Sequence, residues 1–249
     1  MKILPFSTMK EILEIDYDNL KNDDWDNFVI ICGYEGRGKS NITLHAIEEW
    51  IRITENREPI EADIYKYMGI KGSHWAKIRM QFAKNKQHCI MNIFDEAGDV
   101  LDSKAATSKI VRVAENDAKV TRGMNWWSGM NVPSFFAGGL TPYFRMHRVR
   151  SVWYIPVRGI CYVYWGKTKN KLVALNENSS YKTMDIVRPN FAFEFPKYEG
   201  VFLNKYKELK QNKMYDVSEK TYQVFTEHDK EIMGKDEKKK SSKKSAKSV

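Results

Sequence analysis

Apolar runs with two different spacings predict the order of elements along the chain. Residues 27–32 are apolar at nearly every position, which is typical of a strand buried on both faces of a parallel sheet. The run that follows has helical spacing, and its apolar positions are Ile42, Leu44, Ala46, Ile47, Trp50 and Ile51. Residues 89–94 form a second buried-strand run. Strands that alternate with helices predict an α/β domain.

The pattern beyond residue 96 continues the same alternation. Residues 108–120 have helical spacing, and residues 124–132 predict a strand that ends before a proline. Residues 151–157 and 160–165 predict two strands joined by a tight turn. The fold class we predict is a three-layer α/β/α architecture with a mainly parallel central sheet.

Four regions are predicted from the shifts in composition. Residues 1–26 form an N-terminal arm, residues 27–166 form the core, and residues 167–234 form an extension that packs on the core and contains a helix near 201–213. Residues 235–249 form a tail of seven lysines and two acids, which supplies +5 of the net charge of +9. Because this tail is almost without apolar residues, we expect it to be disordered, either as a solubilising end or as a nucleic-acid anchor.

The cysteines and the apolar runs bear on the compartment. The three cysteines lie in apolar runs without metal-binding spacing, so we expect reduced core residues. We find no apolar run that approaches the ~20 residues of a membrane span and no signal-peptide block at the N-terminus. The expectation is a cytoplasmic protein.

A glycine-rich octet joins the first strand to the first helix. It fits G-x-x-x-x-G-K-[ST], and its residues are Gly33, Tyr34, Glu35, Gly36, Arg37, Gly38, Lys39 and Ser40, followed by Asn41. Such a loop turns backbone N–H groups around phosphate oxygens, and its lysine reaches the β and γ phosphates. Here Lys39 takes that role, Ser40 is placed to bind Mg²⁺, and the helix N-terminus favours an anion. The motif predicts a nucleoside triphosphatase.

Two carboxylates follow the second buried strand. Asp95 and Glu96 come directly after residues 89–94, which is the pattern of a Walker B strand. We predict that Asp95 holds the hydration shell of Mg²⁺ and that Glu96 orients and deprotonates the attacking water.

Further candidates come from the third strand and from the arginines. Asn131 lies near the end of that strand and either contacts the γ-phosphate as a sensor or only begins a turn. Arg122, Arg145 and Arg148 are candidates for an arginine finger that reaches a neighbouring subunit's nucleotide. The segment 141–150 is otherwise a solvated basic loop or a contact to DNA phosphates. Its neighbouring aromatic residues either stack on bases or form core.

These motifs resemble the additional-strand, catalytic-glutamate division of P-loop ATPases, which is RecA-, HerA- and FtsK-like and related to AAA+ proteins. The words Ile93-Phe94-Asp95-Glu96-Ala97-Gly98, Arg122, Ser128-Gly129 with Pro133, and Phe195-Pro196 before a Tyr/Lys-rich helix are similar to those of small ATPases of archaeal spindle-shaped viruses and plasmids. The resemblance implies a RecA-like core, ATP, Mg²⁺, and a role in viral or plasmid DNA packaging, translocation or replication initiation.

Three functions follow as hypotheses. The first is an ATPase that acts on DNA as a homo-oligomeric ring, such as a hexamer, in the host cytoplasm if the protein is viral. The second is an ATP-switched replication initiator or helicase-loader-like adaptor. The third is a small-molecule kinase, which the water-activating position of Glu96 disfavours.

Overall fold

The computed structural model describes most of the chain in two compact units. The described residues are 7–23, 25–99, 113, 116–117, 121–136, 142–177, 179 and 181–245. The units are Met1–Lys205 and Tyr206–Val249. The predicted boundary between residues 166 and 167 falls inside the first unit. The helix predicted at 108–120 lies outside the described residues, apart from 113, 116 and 117.

Seven strands of the first unit form one sheet in the order β2-β3-β4-β1-β5-β6-β7. Their bounds are β1 Asn27–Cys32, β2 Met68–Gly69, β3 Met91–Phe94, β4 Trp127–Val132, β5 Val149–Val157, β6 Ile160–Trp165 and β7 Phe191–Glu194. The strands from β2 to β5 pair in parallel, and β6 pairs antiparallel with both β5 and β7. The predicted α/β class with a mainly parallel sheet is confirmed.

Seven α-helices lie in the described ranges. Their bounds are α1 Met9–Asn22, α2 Lys39–Glu55, α3 Ile64–Tyr67, α4 Gly72–Lys84, α5 Pro142–His147, α6 Gly166–Glu177 and α7 Leu203–Ser245. The arm predicted before the first strand is α1, which begins with a capping box in which Thr8 and Glu11 bond each other's backbone N–H groups. Short 3₁₀ turns lie at Glu61–Asp63, Ala97–Asp99 and Thr121–Met124.

The core lies on both faces of the sheet, because β1 is buried at all six positions. Phe28 and Ile30 face a cluster that includes Phe144 of α5 and Leu172 of α6. The opposite face carries Trp127, which lies 6.4 Å, between ring centroids, from Trp50 of α2. Helices therefore cover both faces, and the arrangement is compatible with the predicted three layers.

The C-terminal third differs from the sequence prediction in two ways. The predicted extension contributes α6 and the edge strand β7 to the first unit, so it completes the sheet. The predicted disordered tail is instead helical as far as Ser245, because α7 runs on without a break. Lysine and glutamate are good helix formers, and extending an existing helix avoids the cost of a new nucleus.

Candidate functional site

The glycine-rich octet forms the connection between β1 and α2 at the carboxyl edge of the sheet. Gly36 (φ 74°) and Gly38 (φ 102°) adopt left-handed conformations that L side chains rarely take. Gly33 also packs closely, since a Cβ there would lie 2.8 Å from the carbonyl oxygen of Ile155 in β5. The loop therefore needs glycine for its turn and for its contact with the sheet.

The lysine of the octet folds back over the loop. Lys39 Nζ donates to the carbonyl oxygen of Gly33 at 2.6 Å and to that of Tyr34 at 3.3 Å. Lys39 also opens the 17-residue helix α2, whose first N–H groups carry the positive end of the helix dipole. An ammonium group and a helix N-terminus thus meet at one loop, which is an arrangement that binds anions.

Three predicted polar side chains from three different elements meet next to this loop. Ser40 Oγ of α2 lies 3.3 Å from both carboxylate oxygens of Asp95, which directly follows β3. Asn131 Nδ2 of β4 donates to Asp95 Oδ1 at 2.5 Å. Asp95 and Asn131 are buried, with 1% and 2% of their surfaces exposed. The structure therefore brings the three candidate residues Ser40, Asp95 and Asn131 together.

The sequence reasoning missed Thr43 in this cluster. Its hydroxyl donates to the Lys39 carbonyl at 2.9 Å, and the same hydroxyl accepts a hydrogen bond from Asn131 Nδ2 at 3.0 Å. Thr43 is fully buried, and the available signal was a hydroxyl within the apolar face of α2. This residue joins the helix that follows the loop to the strand that carries Asn131.

Glu96 follows Asp95 at the end of β3 and is half-buried. Its backbone has φ 57°, in the left-handed region that is uncommon for residues other than glycine, asparagine and aspartate. The turn places Glu96 one residue beyond Asp95 at the same edge of the sheet. Gly98, two residues further on, packs closely against Pro133, since a Cβ on Gly98 would lie 2.6 Å from that proline.

The oxygen atoms of this cluster fit a magnesium ion. The Ser40 hydroxyl and the Asp95 carboxylate are hard oxygen ligands, and Mg²⁺ is commonly held by one or two protein groups together with phosphate and water. The described ranges contain no group of three His, Cys, Asp or Glu side chains arranged to hold a metal. The site therefore suits a metal that arrives with phosphate rather than an ion caged by the protein alone.

Arg145 and Arg148 do not lie on a solvated basic loop, which was one of the alternatives for the segment 141–150. Both are buried, with 5% and 6% of their surfaces exposed. Arg148 Nη2 lies 2.5 Å from the Asp26 carboxylate before β1, and burial lowers the pKa of Arg145. Since a finger or a DNA contact must reach outward, this placement corrects the prediction for both arginines.

Arg122 is exposed and lies in the 3₁₀ turn Thr121–Met124 that precedes β4. It is therefore at the amino edge of the sheet, whereas the glycine-rich loop of the same chain is at the carboxyl edge. The neighbouring aromatic residues are mostly core, because Trp126, Trp127, Phe135 and Phe144 are each at most 2% exposed. The base-stacking alternative is wrong for these four residues.

A cavity of about 280 Å³ opens beside the loop. Cys32, the last residue of β1, contributes to its wall, as do the segments 133–136 after β4 and 181–185 before β7. The sequence reasoning assigned no role to residues 181–185.

Comparisons with families and curated proteins give no relative from which a function could be inferred. No protein-family model and no curated protein matches the chain. Among the helices that the structure describes, none is long and apolar enough to cross a membrane.

Proposed function

We propose that this chain is a P-loop ATPase that hydrolyses ATP with Mg²⁺ and acts on DNA as an oligomeric motor or remodeller. One observation carries the proposal: the Lys39 loop, Ser40, Asp95 and Asn131 converge at the carboxyl edge of a parallel sheet. Open α/β sheets bind ligands outside the carboxyl ends of their strands. The glycine-rich sequence gives this edge the composition of a phosphate site.

The strand order supports the additional-strand division of P-loop ATPases. The loop strand β1 and the acid-bearing strand β3 are not neighbours, because β4 pairs with both. This extra strand ends near Asn131, whose amide then lies between α2 and Asp95. A polar amide in that position is suited to sense the terminal phosphate.

Each residue has a role in the proposed reaction. The backbone of residues 33–41 and Lys39 bind the phosphates, and Ser40 and Asp95 hold Mg²⁺, which neutralises phosphate charge when bound. Glu96 accepts a proton from the water that attacks the γ-phosphorus, and ADP leaves as the bond to the γ-phosphate breaks. Asn131 orients the terminal phosphate or the water.

The DNA-linked part of the proposal rests on charge. The chain carries a net charge of +9, and its last fifteen residues contribute +5 of it, which favours electrostatic binding to phosphate backbones. Arg122 is exposed and is our candidate for a finger supplied to a neighbouring subunit in a ring. The localisation that we propose is the cytoplasm, or the host cytoplasm for a viral protein.

Steady-state ATP hydrolysis and Mg²⁺-dependent ATP binding test the proposal. We expect Lys39→Ala to lose both, whereas Lys77→Ala, on the exposed side of α4, leaves both unchanged. Addition of double- or single-stranded DNA is expected to raise turnover, and the effect should fall with salt. Wild-type protein without Mg²⁺-dependent ATP binding would reject the proposal. Slow turnover that ignores DNA would favour the switched adaptor.

A further inference from the structure

The cavity beside the loop has an aromatic lining that the hydrolytic site does not use. Tyr34, Phe136, Tyr154 and Tyr181 contribute to its wall, and Lys182 lies among them. Tyr154 lies level with the end of the loop strand, because it pairs with Cys32 across β1 and β5. The volume of about 280 Å³ is enough for one flat ring with its substituents.

The rings differ in exposure from the rim to the wall. Tyr34 and Tyr181 are 72% and 78% exposed, whereas Phe136 and Tyr154 are half-buried. Large exposed aromatic rings at the rim of a cavity present faces on which a planar base can stack. Lys182 and Asp185 are both exposed and bring one positive and one negative charge to the same lining. The lining therefore suits a ligand with a planar ring, and Lys182 is the lining group that can meet an anionic part of it.

The position of the cavity shows which end of ATP it faces. Lys39 Nζ bonds to the carbonyl oxygens of Gly33 and Tyr34, and both of these residues line the cavity. In a loop of this type the lysine reaches the β and γ phosphates, and the base lies at the far end of the phosphate chain. The cavity thus lies beside the terminal phosphate, where the base of the same ATP does not reach.

We propose that this cavity binds a nucleotide unit of a second ligand, with its base stacked on Tyr181 and Tyr34 and its phosphate near Lys182. This inference rests on the proposed ATP site, because the loop defines which end of the cavity faces the terminal phosphate. The nucleotide unit has two sources with the same chemistry, a single-stranded DNA and a free nucleotide. Either source places a second ligand where its arrival alters the surroundings of the terminal phosphate.

Fluorescence anisotropy with labelled oligothymidylate of roughly 10 nucleotides tests the proposal, with Mg²⁺ and a non-hydrolysable ATP analogue present. Tyr181→Ala is expected to weaken binding about tenfold, and Tyr181→Phe to retain it, because stacking needs the ring and not the hydroxyl. Tyr65→Ala is the control, since Tyr65 is partly exposed on α3 and outside the cavity. An abasic strand of equal length should bind Tyr181→Ala and wild type alike.

Competition by thymidine monophosphate identifies the source. If thymidine monophosphate displaces the strand and Tyr181→Ala weakens this displacement, the cavity binds a free nucleotide. If only the strand binds, the cavity binds DNA. Both results support the proposal. Equal strand binding by Tyr181→Ala and Tyr65→Ala would overturn it, as would an equal loss on the abasic strand or no binding of either ligand by wild type. Labelled ATP, measured on the same variants, separates these failures: normal ATP binding rejects the cavity alone, and absent ATP binding in wild type rejects the ATPase.

Discussion

The two edges of the parallel sheet carry the same kinds of charged residue in different surroundings. At the amino edge, Asp26 is buried against Arg148, with 2.5 Å between the carboxylate and the guanidinium. At the carboxyl edge, Asp95 is also buried, and its partners include two neutral donors, Ser40 and Asn131, beside the glycine-rich loop. The first carboxylate pairs with an arginine inside the fold, and for the second we propose a role in binding a metal. Burial alone does not separate structural charges from candidate functional ones.

The largest expected effect is on activity at the carboxyl edge. Asp95→Asn removes the carboxylate charge while keeping the side chain's shape, so we expect ATP hydrolysis to fall by about 100-fold or more. A Mg²⁺ titration of ATP binding should show the same loss. If Asp95→Asn hydrolyses ATP at the wild-type rate, the contrast between the two edges is lost.

The matching substitution at the amino edge should affect stability instead. Asp26→Asn removes the carboxylate that pairs with the buried guanidinium of Arg148, and we expect the free energy of unfolding to fall by about 3–5 kcal/mol. Turnover per folded molecule should not change. Urea unfolding measures the first effect, and Glu14→Ala is the control, because Glu14 pairs with Lys10 at 3.8 Å on the exposed side of α1 and such pairs contribute less than about 1 kcal/mol.

A third carboxylate makes the comparison depend on pH. Burial raises the pKa of Asp16 from 3.8 to about 7, although Trp127 Nε1 donates to it at 2.8 Å. The unfolded chain ionises this group more easily, so its ionisation lowers stability progressively from about pH 4 to pH 7, and the penalty is complete above that range. Asp16→Asn should therefore raise the free energy of unfolding at pH 8 by several kcal/mol and change little at pH 4. A larger gain at pH 4 would contradict the sign.

The smallest effect is expected at Arg122. Because this side chain is exposed in the turn before β4, Arg122→Ala should change the free energy of unfolding by no more than about 0.5 kcal/mol. As a finger supplied in trans, it should affect only the part of turnover that rises with protein concentration. Concentration series of hydrolysis for wild type and Arg122→Ala measure this, and equal series would remove Arg122 as a finger.

The sequence predicted those parts of the fold in which a local pattern is strong. The buried runs of β1 and β3 and the amphipathic run of α2 were each readable from spacing, and Asp95 and Asn131 were each predicted at the end of a strand. The two-residue strand β2 was missed, because two residues are too few to show a repeating pattern of apolar and polar positions.

Other features depend on contacts between distant residues. The pairing of Arg148 with Asp26 joins positions 122 residues apart, and only the register of β5 against β1 brings them together. The same holds for Phe195, whose ring would lie 3.2 Å from a Cβ on Gly38. Local patterns identify the residue types of a site, and tertiary packing decides which charges remain available for it.

ATP hydrolysis by Glu96→Gln, measured beside ATP and Mg²⁺ binding by the same variant, tests the central claim most directly. Glutamine keeps the size of Glu96 but cannot accept a proton from water. The account predicts that binding is retained and that hydrolysis falls by about 100-fold or more. Hydrolysis at the wild-type rate in Glu96→Gln would contradict the assignment of the carboxyl edge as a hydrolytic site.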